Sequence, residues 1–147
     1  MIWQRTGRVE IYDTDASGLI FYGAPTHWFA VAEQELYDAL DIRWPMGDSE
    51  QGVATRHEGA SAPTRSYEIH LDGPLRFRER FVHDVWISAV GRTSFSMSHE
   101  ISVDGDVRVR GVVRRVYVEV DATGVMVPAE VPQSIRDAVV DRDSVPR

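Results

Sequence analysis

The stretch Asp13-Thr14-Asp15-Ala16-Ser17-Gly18-Leu19-Ile20-Phe21-Tyr22 joins a strand-like segment to a helix-like one. Residues 7–12 alternate as a half-buried strand does, and the apolar residues that follow Tyr22 recur at helical spacing. These apolar residues are Trp28, Phe29, Ala32, Leu36, Ala39 and Leu40. Two carboxylates, a hydroxyl and a glycine therefore occupy a strand-to-helix connection, where functional residues are concentrated.

The same stretch has the opening pattern of a calcium-binding EF-hand loop. Asp13, Asp15, Ser17 and Gly18 fit its first, third, fifth and sixth positions. The twelfth position, where a bidentate Glu closes the coordination sphere, is Ala24, and a strand rather than a helix precedes the loop. We therefore expect no calcium, and no His, Asp and Glu spacing predicts zinc.

The composition predicts one globular domain of ordinary size. The chain has 147 residues, of which 43% are hydrophobic. It contains no apolar run of roughly 18 residues and no basic and apolar leader, so we expect a cytoplasmic protein without a membrane partner. We place the domain at residues 1–141 and a short tail at 142–147.

Two missing residue types exclude whole classes of chemistry. The chain has no cysteine, which excludes disulfides and thiol nucleophiles. All 16 basic residues are Arg, which excludes lysine bases and Schiff-base mechanisms.

A net charge of −7 argues against a nucleic-acid partner, because non-specific binding draws on a basic surface. Arginines are nevertheless clustered locally, so the phosphates of a small ligand could find partners. The alternative is that they are solvated residues guarding strand faces and edges. The clusters are Arg76, Arg78 and Arg80, and Arg108, Arg110, Arg114 and Arg115.

Periodicity along the chain predicts an α+β fold, since runs of strands accompany one long helix. The predicted helices cover 25–40 and 132–140, and residues 41–62 look irregular. The predicted strands cover 2–12, 63–72, 76–90, 92–103 and 106–120, and residues 141–147 form a frayed tail.

The two strands before and after Asp104-Gly105 carry the clearest signals. That dipeptide is typical of a two-residue hairpin turn. In residues 93–103 every second side chain is apolar or His99, which predicts one buried face with His99 as a core histidine. In the next strand the parity of the valines changes near Gly111, which predicts a β-bulge there.

Three motifs together resemble the hotdog-fold acyl-CoA thioesterases of the 4-hydroxybenzoyl-CoA thioesterase family. Residues 13–22 with Trp28 are similar to that family's Asp-x-Asp-x-x-Gly stretch and the helix that follows it. Residues 73–77 resemble its Pro-Leu-Arg-Phe segment, and residues 91–95 its Gly-Arg-Ser-Phe hairpin. The resemblance covers about residues 8–128, and Gly23-Ala24-Pro25 departs from it at the helix start.

The resemblance implies a hotdog fold, an antiparallel sheet wrapped around one long central helix. It also implies hydrolysis of an aryl- or medium-chain acyl-CoA without a cofactor. Members of the fold pair their sheets edge to edge and build sites across the interface. A homo-oligomer is therefore expected, either a dimer or a homotetramer arranged as a dimer of dimers.

The resemblance also assigns roles to particular residues. Asp15 matches the catalytic aspartate, which acts as nucleophile or general base, and the backbone N–H of Tyr22 matches the donor that polarises the thioester carbonyl. Asp13 looks structural. The expected substrate-binding residues are Gly18, Ser17, His27, Arg92, Thr93 and Ser94, of which the last three contact the nucleotide or pantetheine.

Other assignments remain open. Some relatives use a helix Glu, for which Glu33 and Glu35 are candidates; Glu33 has the spacing from Phe29 that points it inward, while Glu35 is expected to face solvent. A hydratase or dehydratase would need a His near a helix carboxylate, with His27 and Glu33 as the candidates. The third possibility is a non-catalytic acyl-CoA binding module.

Overall fold

A computed structural model describes residues 1–42, 59–121 and 123–144. It contains one long helix, α1, and a short one, α2, together with eight strands. The helices are Ala24–Ala39 (α1) and Gln133–Asp137 (α2). The strands are Trp3–Arg8 (β1), Gly59–Ser61 (β2), Thr64–Leu71 (β3), Arg80–Val90 (β4), Ser94–Val103 (β5), Asp106–Val116 (β6), Val118–Val120 (β7) and Met126–Pro128 (β8).

Five strands form one antiparallel sheet in the order β1-β4-β5-β6-β3. Its concave side carries α1, which buries the stripe predicted from the sequence, including Trp28, Phe29 and Leu36. Pro25 lies in the first turn of α1, where a backbone N–H has no intrahelical partner to lose. The α+β prediction and the single long helix are confirmed.

The predicted alternation of β5 is confirmed residue by residue. Phe95, Met97, His99, Ile101 and Val103 are buried and the residues between them are half-buried. The Asp104-Gly105 turn is also present, with both residues at positive φ.

The predicted bulge at Gly111 is wrong. Gly111 stays in register, opposite His99 on β5 and Ile69 on β3. The extra residue of β6 is Arg108, since Ile101 pairs with Val109 while Ser102 pairs with Val107. Glycine is required at 111 for another reason: an added Cβ would lie 2.1 Å from Cε2 of the Phe29 ring.

Several predicted boundaries also move. The first strand ends at Arg8, and Ile11–Asp13 is a 3-10 turn. The strand predicted from 76 begins at Arg80, because residues 76–79 turn with Arg78 at a φ of 69°. The strand predicted to run to 120 divides at Tyr117, and β7 then pairs with β2 and β8 in a separate small sheet.

Two regions predicted to be irregular contain ordered structure. Gly59–Ser61 is strand β2, while residues 43–58 of the predicted loop lie outside the described residues. At the other end, Arg142–Ser144 forms a 3-10 turn, and Nη2 of Arg142 lies 2.8 Å from Oδ2 of Asp84. Helix α2 is shorter than the predicted 132–140.

None of the helices within the described ranges is long and apolar enough to cross a membrane.

Candidate active site

The loop between β1 and α1 is held in one conformation by its own backbone. Asp13 is buried, and its Oδ2 accepts a hydrogen bond from the N–H of Glu10 at 2.8 Å. Thr14 and Ile20 pair as an isolated β-bridge, and the N–H of Ile20 donates to Leu75 O. The structural role predicted for Asp13 is confirmed.

Asp15 is solvent-exposed at the tip of this loop. Its Oδ1 accepts the N–H of Ser17 at 2.8 Å and the Ser17 hydroxyl at 2.5 Å. The hydroxyl contact first, and the backbone contact second, lower the pKa of Asp15 below its usual range. Asp15 is therefore an ionised, water-facing carboxylate at neutral pH.

Gly18 closes the turn that positions Asp15. Its N–H donates to Asp15 O at 3.1 Å, and its own carbonyl accepts the N–H of Phe77 at 3.0 Å. Its φ of 76° lies in the left-handed region that favours glycine, and an added Cβ would meet nothing within 4 Å. Backbone conformation, rather than space, requires glycine here.

Tyr22 lies two residues before α1 and is 85% exposed. Among the described residues its backbone N–H donates to no protein acceptor, whereas the neighbouring Phe21 N–H donates to Asp13 O. His27 is exposed in the first turn of α1. Carboxylate, free N–H and helix start thus lie along one short piece of chain.

Glu33 is in the second half of α1, where it is only 2% exposed and bonded on both oxygens. Oε1 lies 3.2 Å from Nε2 of His99, and Oε2 accepts from Nη2 of Arg115. The predicted inward direction of Glu33 is confirmed, but its buried partner is His99 rather than His27. Glu35 instead is half-buried and accepts hydrogen bonds from Trp3 and Arg5 of β1.

The chain of hydrogen bonds continues from His99 to His83, whose Nε2 lies 3.0 Å from Nδ1 of His99. If Nε2 of His99 donates to the Glu33 carboxylate, its Nδ1 must accept, so Nε2 of His83 must donate. Nδ1 of His83 is buried without a hydrogen-bond partner among the described residues. Burial, followed by the proximity of His99, lowers the pKa of His83 to about 2, and burial also lowers the pKa of His99.

A cavity of about 280 Å³ lies between α1 and the strands β6 and β3, with Glu33 and Arg115 in its wall. Its deep residues are Phe29, Glu33 and Val113. Its exposed rim consists of Thr26, Ala30, Thr64 and Tyr67. Burial, with a smaller contribution from Glu33, raises the pKa of Tyr67 to about 12, so its hydroxyl remains protonated.

The predicted CoA-binding hairpin lies at the other end of the sheet from Asp15. Residues 91–94 directly follow Val90, the last residue of β4. The Asp15 loop is instead hydrogen-bonded to residues 75 and 77, which come just before Arg80, the first residue of β4. Ten residues of strand separate these ends by roughly 33 Å. Arg92 is exposed, and its carbonyl and that of Thr93 accept hydrogen bonds from Val131 and Tyr117 respectively.

Several of the other arginines contact groups of the same chain. Arg110 pairs with Asp72 at 2.6 Å, Arg114 approaches Glu68 at 3.8 Å and Arg108 pairs with Asp106 at 3.0 Å. Arg78 covers the ring of Phe77 at 5.0 Å. Across the described ranges, no group of three or more His, Asp and Glu side chains is arranged to hold a metal ion.

Solved structures share this arrangement over nearly the whole chain. A gentisyl-coenzyme A thioesterase superposes with a TM-score of 0.73 at 22% identity, covering 94% of this chain and all of its own. The 4-hydroxybenzoyl CoA thioesterase from Pseudomonas sp. strain CBS-3 gives 0.74 at 19% identity, covering 93% and 98%. The chain has the hotdog fold.

A third hotdog relative is the 1,4-dihydroxy-2-naphthoyl-CoA thioesterase from Synechocystis, with a TM-score of 0.75 at 16% identity, covering 99% of this chain and all of its own. No protein-family profile and no curated protein sequence matches the chain. At these identities the likeness establishes the hotdog fold, and the chemistry has to be argued from the residues.

Sequence reasoning missed two components of the hotdog core. His83 faces inward on β4 beside His99 on β5, a position that alternation in both strands could have indicated. For Arg115 the sequence suggests a phosphate partner or a solvated residue, yet its side chain turns inward to Glu33. The sequence does contain a sign of this direction. Arg115 is an even number of residues from the buried Val109 and Val113, so it lies on the same face of β6.

Proposed function

We propose that the protein is an acyl-CoA thioesterase, converting an aryl- or medium-chain acyl-CoA and water to the free acid and CoA. Asp15 supplies the reacting carboxylate, and the backbone N–H of Tyr22 donates to the thioester oxygen as negative charge develops on it. The free thiol of CoA leaves with a proton that comes ultimately from water. The solved structures of similar fold include three CoA thioesterases, and their chemistry supports this reaction class.

The observation that carries the proposal is the contrast between Asp15 and Glu33. Asp15 is ionised and exposed, and its Oδ1 is fixed by the N–H and the hydroxyl of Ser17. Glu33 is only 2% exposed, and each of its oxygens already accepts a hydrogen bond, one from His99 and one from Arg115. A base or nucleophile needs an accessible lone pair, so Asp15 suits the role better.

Tyr22 and the helix start supply the second component. An N–H without a protein acceptor, close to the positive end of α1, stabilises an oxyanion better than the neutral carbonyl from which it forms. Such differential binding lowers the barrier of the chemical step. Ser17, Gly18 and His27 lie along the same piece of chain and are proposed to contact the substrate.

Within one chain the Asp15 loop and Arg92 lie at opposite ends of β4, a strand roughly 33 Å long. This separation supports a site built from two chains. We propose that Arg92, Thr93 and Ser94 of one copy bind the CoA moiety of a substrate that reacts at Asp15 of another. A cytoplasmic homo-oligomer, a dimer or a dimer of dimers, is the assembly consistent with such a site.

The test is the substitution Asp15→Asn, assayed by thiol release from a panel of acyl-CoAs. We expect kcat to fall at least about a hundredfold, the usual scale for losing an acid, base or nucleophile. Asp104→Asn is the matched control, because Asp104 is an exposed turn residue at a φ of 52°, which Asn tolerates. Normal turnover in Asp15→Asn would overturn the assignment, and loss of activity in Glu33→Gln with intact folding would then move it to the helix.

A single turnover in ¹⁸O-water separates the two roles of Asp15. A nucleophile forms a mixed anhydride, and its hydrolysis can leave ¹⁸O in the Asp15 side chain. A general base activates water directly, so all the label appears in the released acid.

A further inference from the structure

The cavity beside α1 has an apolar part and a polar part, which lie at different distances from the start of the helix. Its apolar part is formed by the ring of Phe29 and by Val113, and its polar part by Glu33 and Arg115. Glu33 follows Phe29 by one helical turn, and Arg115 follows Val113 by two residues on β6. Moving away from the start of the helix, a ligand would meet apolar surface first and the ion pair second.

The size of the cavity suits an acyl group of moderate length. An apolar cavity of roughly 150 Å³ is enough to hold benzene, and this one has about 280 Å³. From Thr26 at the rim to Glu33 the helix rises roughly 10 Å. A fused two-ring aryl group or an extended eight-carbon chain has this length.

The ion pair has hydrogen-bonding capacity left. Arg115 carries five N–H groups, and within the described residues it uses Nη1 for Ala62 O at 2.9 Å and Nη2 for Glu33. Its Nε is buried without a partner there. Within the described residues each Glu33 oxygen accepts one hydrogen bond, from His99 or from Arg115, and has a second lone pair.

The charges select the kind of group that can occupy the polar end. Glu33 and Arg115 nearly cancel, so a carboxylate or an ammonium group would meet one attractive and one repulsive partner. A methyl group would displace water from a buried ion pair and return no hydrogen bond. A hydroxyl can donate to Glu33 and accept from Arg115, and it carries no charge.

We propose that the Glu33–Arg115 pair is a specificity-determining subsite that binds a hydroxyl group at the far end of the acyl chain. The proposal rests on the proposed thioesterase function, because the acyl group must enter the cavity from the reacting end near Tyr22. A phenol on a fused aryl group and an alcohol on an aliphatic chain both supply such a hydroxyl.

The experiment compares matched substrates that differ only in this hydroxyl. The pairs are 8-hydroxyoctanoyl-CoA with octanoyl-CoA, and 6-hydroxy-2-naphthoyl-CoA with 2-naphthoyl-CoA. In the unmodified protein we expect kcat/KM to favour the hydroxylated member at least about tenfold in one pair or both, since a site built around a hydroxyl discriminates against its absence. The pair that shows the preference identifies the aromatic or aliphatic source.

Two variants locate the preference. Glu33→Gln/Arg115→Gln removes both charges together, so neither partner is left as an isolated buried ion. Arg115→Lys keeps the charge beside Glu33 while removing the forked donors, and it serves if the double variant fails to fold. We expect each to reduce the preference at least threefold. Glu68→Gln/Arg114→Gln changes an exposed pair on β3 and β6 and should leave the ratio unchanged.

A binding measurement separates this proposal from the proposed function. Calorimetry with 8-hydroxyoctanoate and octanoate, and with the two naphthoates, needs no turnover. Preferential binding of a hydroxylated acid without hydrolysis of any acyl-CoA would retain the subsite and reject the thioesterase. A ratio near one in both substrate pairs, or a preference unchanged in the folded Glu33 and Arg115 variants, would reject the subsite.

Discussion

The ring of Phe29 lies flat on the imidazole of His99, with centroids 3.9 Å apart and planes 5° from parallel. This stacking leaves no water on that face of His99, whose edges are occupied by Glu33 and His83. An imidazole so enclosed is difficult to charge, which is why burial lowers the pKa values of both histidines.

The first prediction is a loss of stability in mild acid. An unfolded chain protonates its histidines near pH 6.5, whereas His83 in the folded chain does so only near pH 2. Between these values the unfolded state binds more protons, so the free energy of unfolding falls with falling pH, by up to about 1.4 kcal/mol per pH unit for each such histidine. Urea unfolding between pH 7.5 and 4.5 measures the slope.

His83→Gln should reduce the pH slope of the unfolding free energy by up to about 1.4 kcal/mol per pH unit, which corresponds to one proton. Gln does not titrate in this range, and it can still donate a hydrogen bond to His99. His70→Gln, which changes an exposed histidine paired with Glu68, is the control. Equal slopes in the His83 variant and the unmodified protein would show that the acid sensitivity originates elsewhere.

The second prediction concerns the contact between Gly111 and Phe29. Gly111→Ala places a methyl group 2.1 Å from the Phe29 ring, which the stack on His99 prevents from moving freely. We expect a loss of about 1–3 kcal/mol in the free energy of unfolding, the usual cost of overpacking. Phe29→Leu should make the same Ala substitution less costly, and strict additivity of the two changes would contradict the packing explanation.

The third prediction is that Ser17→Ala raises the pKa of Asp15, because the Ser17 hydroxyl is the largest cause of its depression. A lowered carboxyl pKa keeps the anion populated at lower pH, and Ser17→Ala should raise that pKa towards the ordinary value of about 3.9. A ¹³C titration of the Asp15 carboxyl measures the shift. At pH 7 Asp15 is ionised in both proteins. Any change in turnover should therefore come only from losing the hydrogen bond between the Ser17 hydroxyl and Asp15.

The fourth prediction is that Arg92→Ala raises KM for acyl-CoA severalfold and leaves kcat nearly unchanged, the pattern of lost uniform binding. A pantetheine thioester without the nucleotide should not respond to the substitution. Equal impairment with both substrates would give Arg92 a structural role in the hairpin.

The fifth prediction tests whether Asp15 and Arg92 act in one site from different chains. Asp15→Asn and Arg92→Ala chains are unfolded together, mixed and reassembled. In a two-chain site, each mixed dimer contains one site with both changes and one with neither, so activity with the unmodified KM should reappear. If both residues of a site came from one chain, every site would carry a defect and KM would stay raised.

Local patterns predicted much of this fold. The apolar spacing of α1, the alternation of β5 and the Asp104-Gly105 turn depend on neighbours a few residues apart, and all three are confirmed. The loop around Asp15 was recognised for the same reason, since its turn residues bond one another.

The errors concern contacts between distant segments. The valines after Gly111 suggested a bulge because two inward positions of β6 are occupied by other residue types, Gly111 and Arg115. Both are explained only by partners on α1, since Gly111 lies against Phe29 and Arg115 pairs with Glu33.

The direction of the hydrogen bonds from His83 through His99 to Glu33 provides a spectroscopic probe. Both imidazoles carry their proton on Nε2 while Glu33 is ionised, and both rings are essentially buried. Such protons exchange with solvent only when the surrounding structure opens. Their NMR signals would therefore time the opening of the interior between sheet and helix, in the native protein and without any added label.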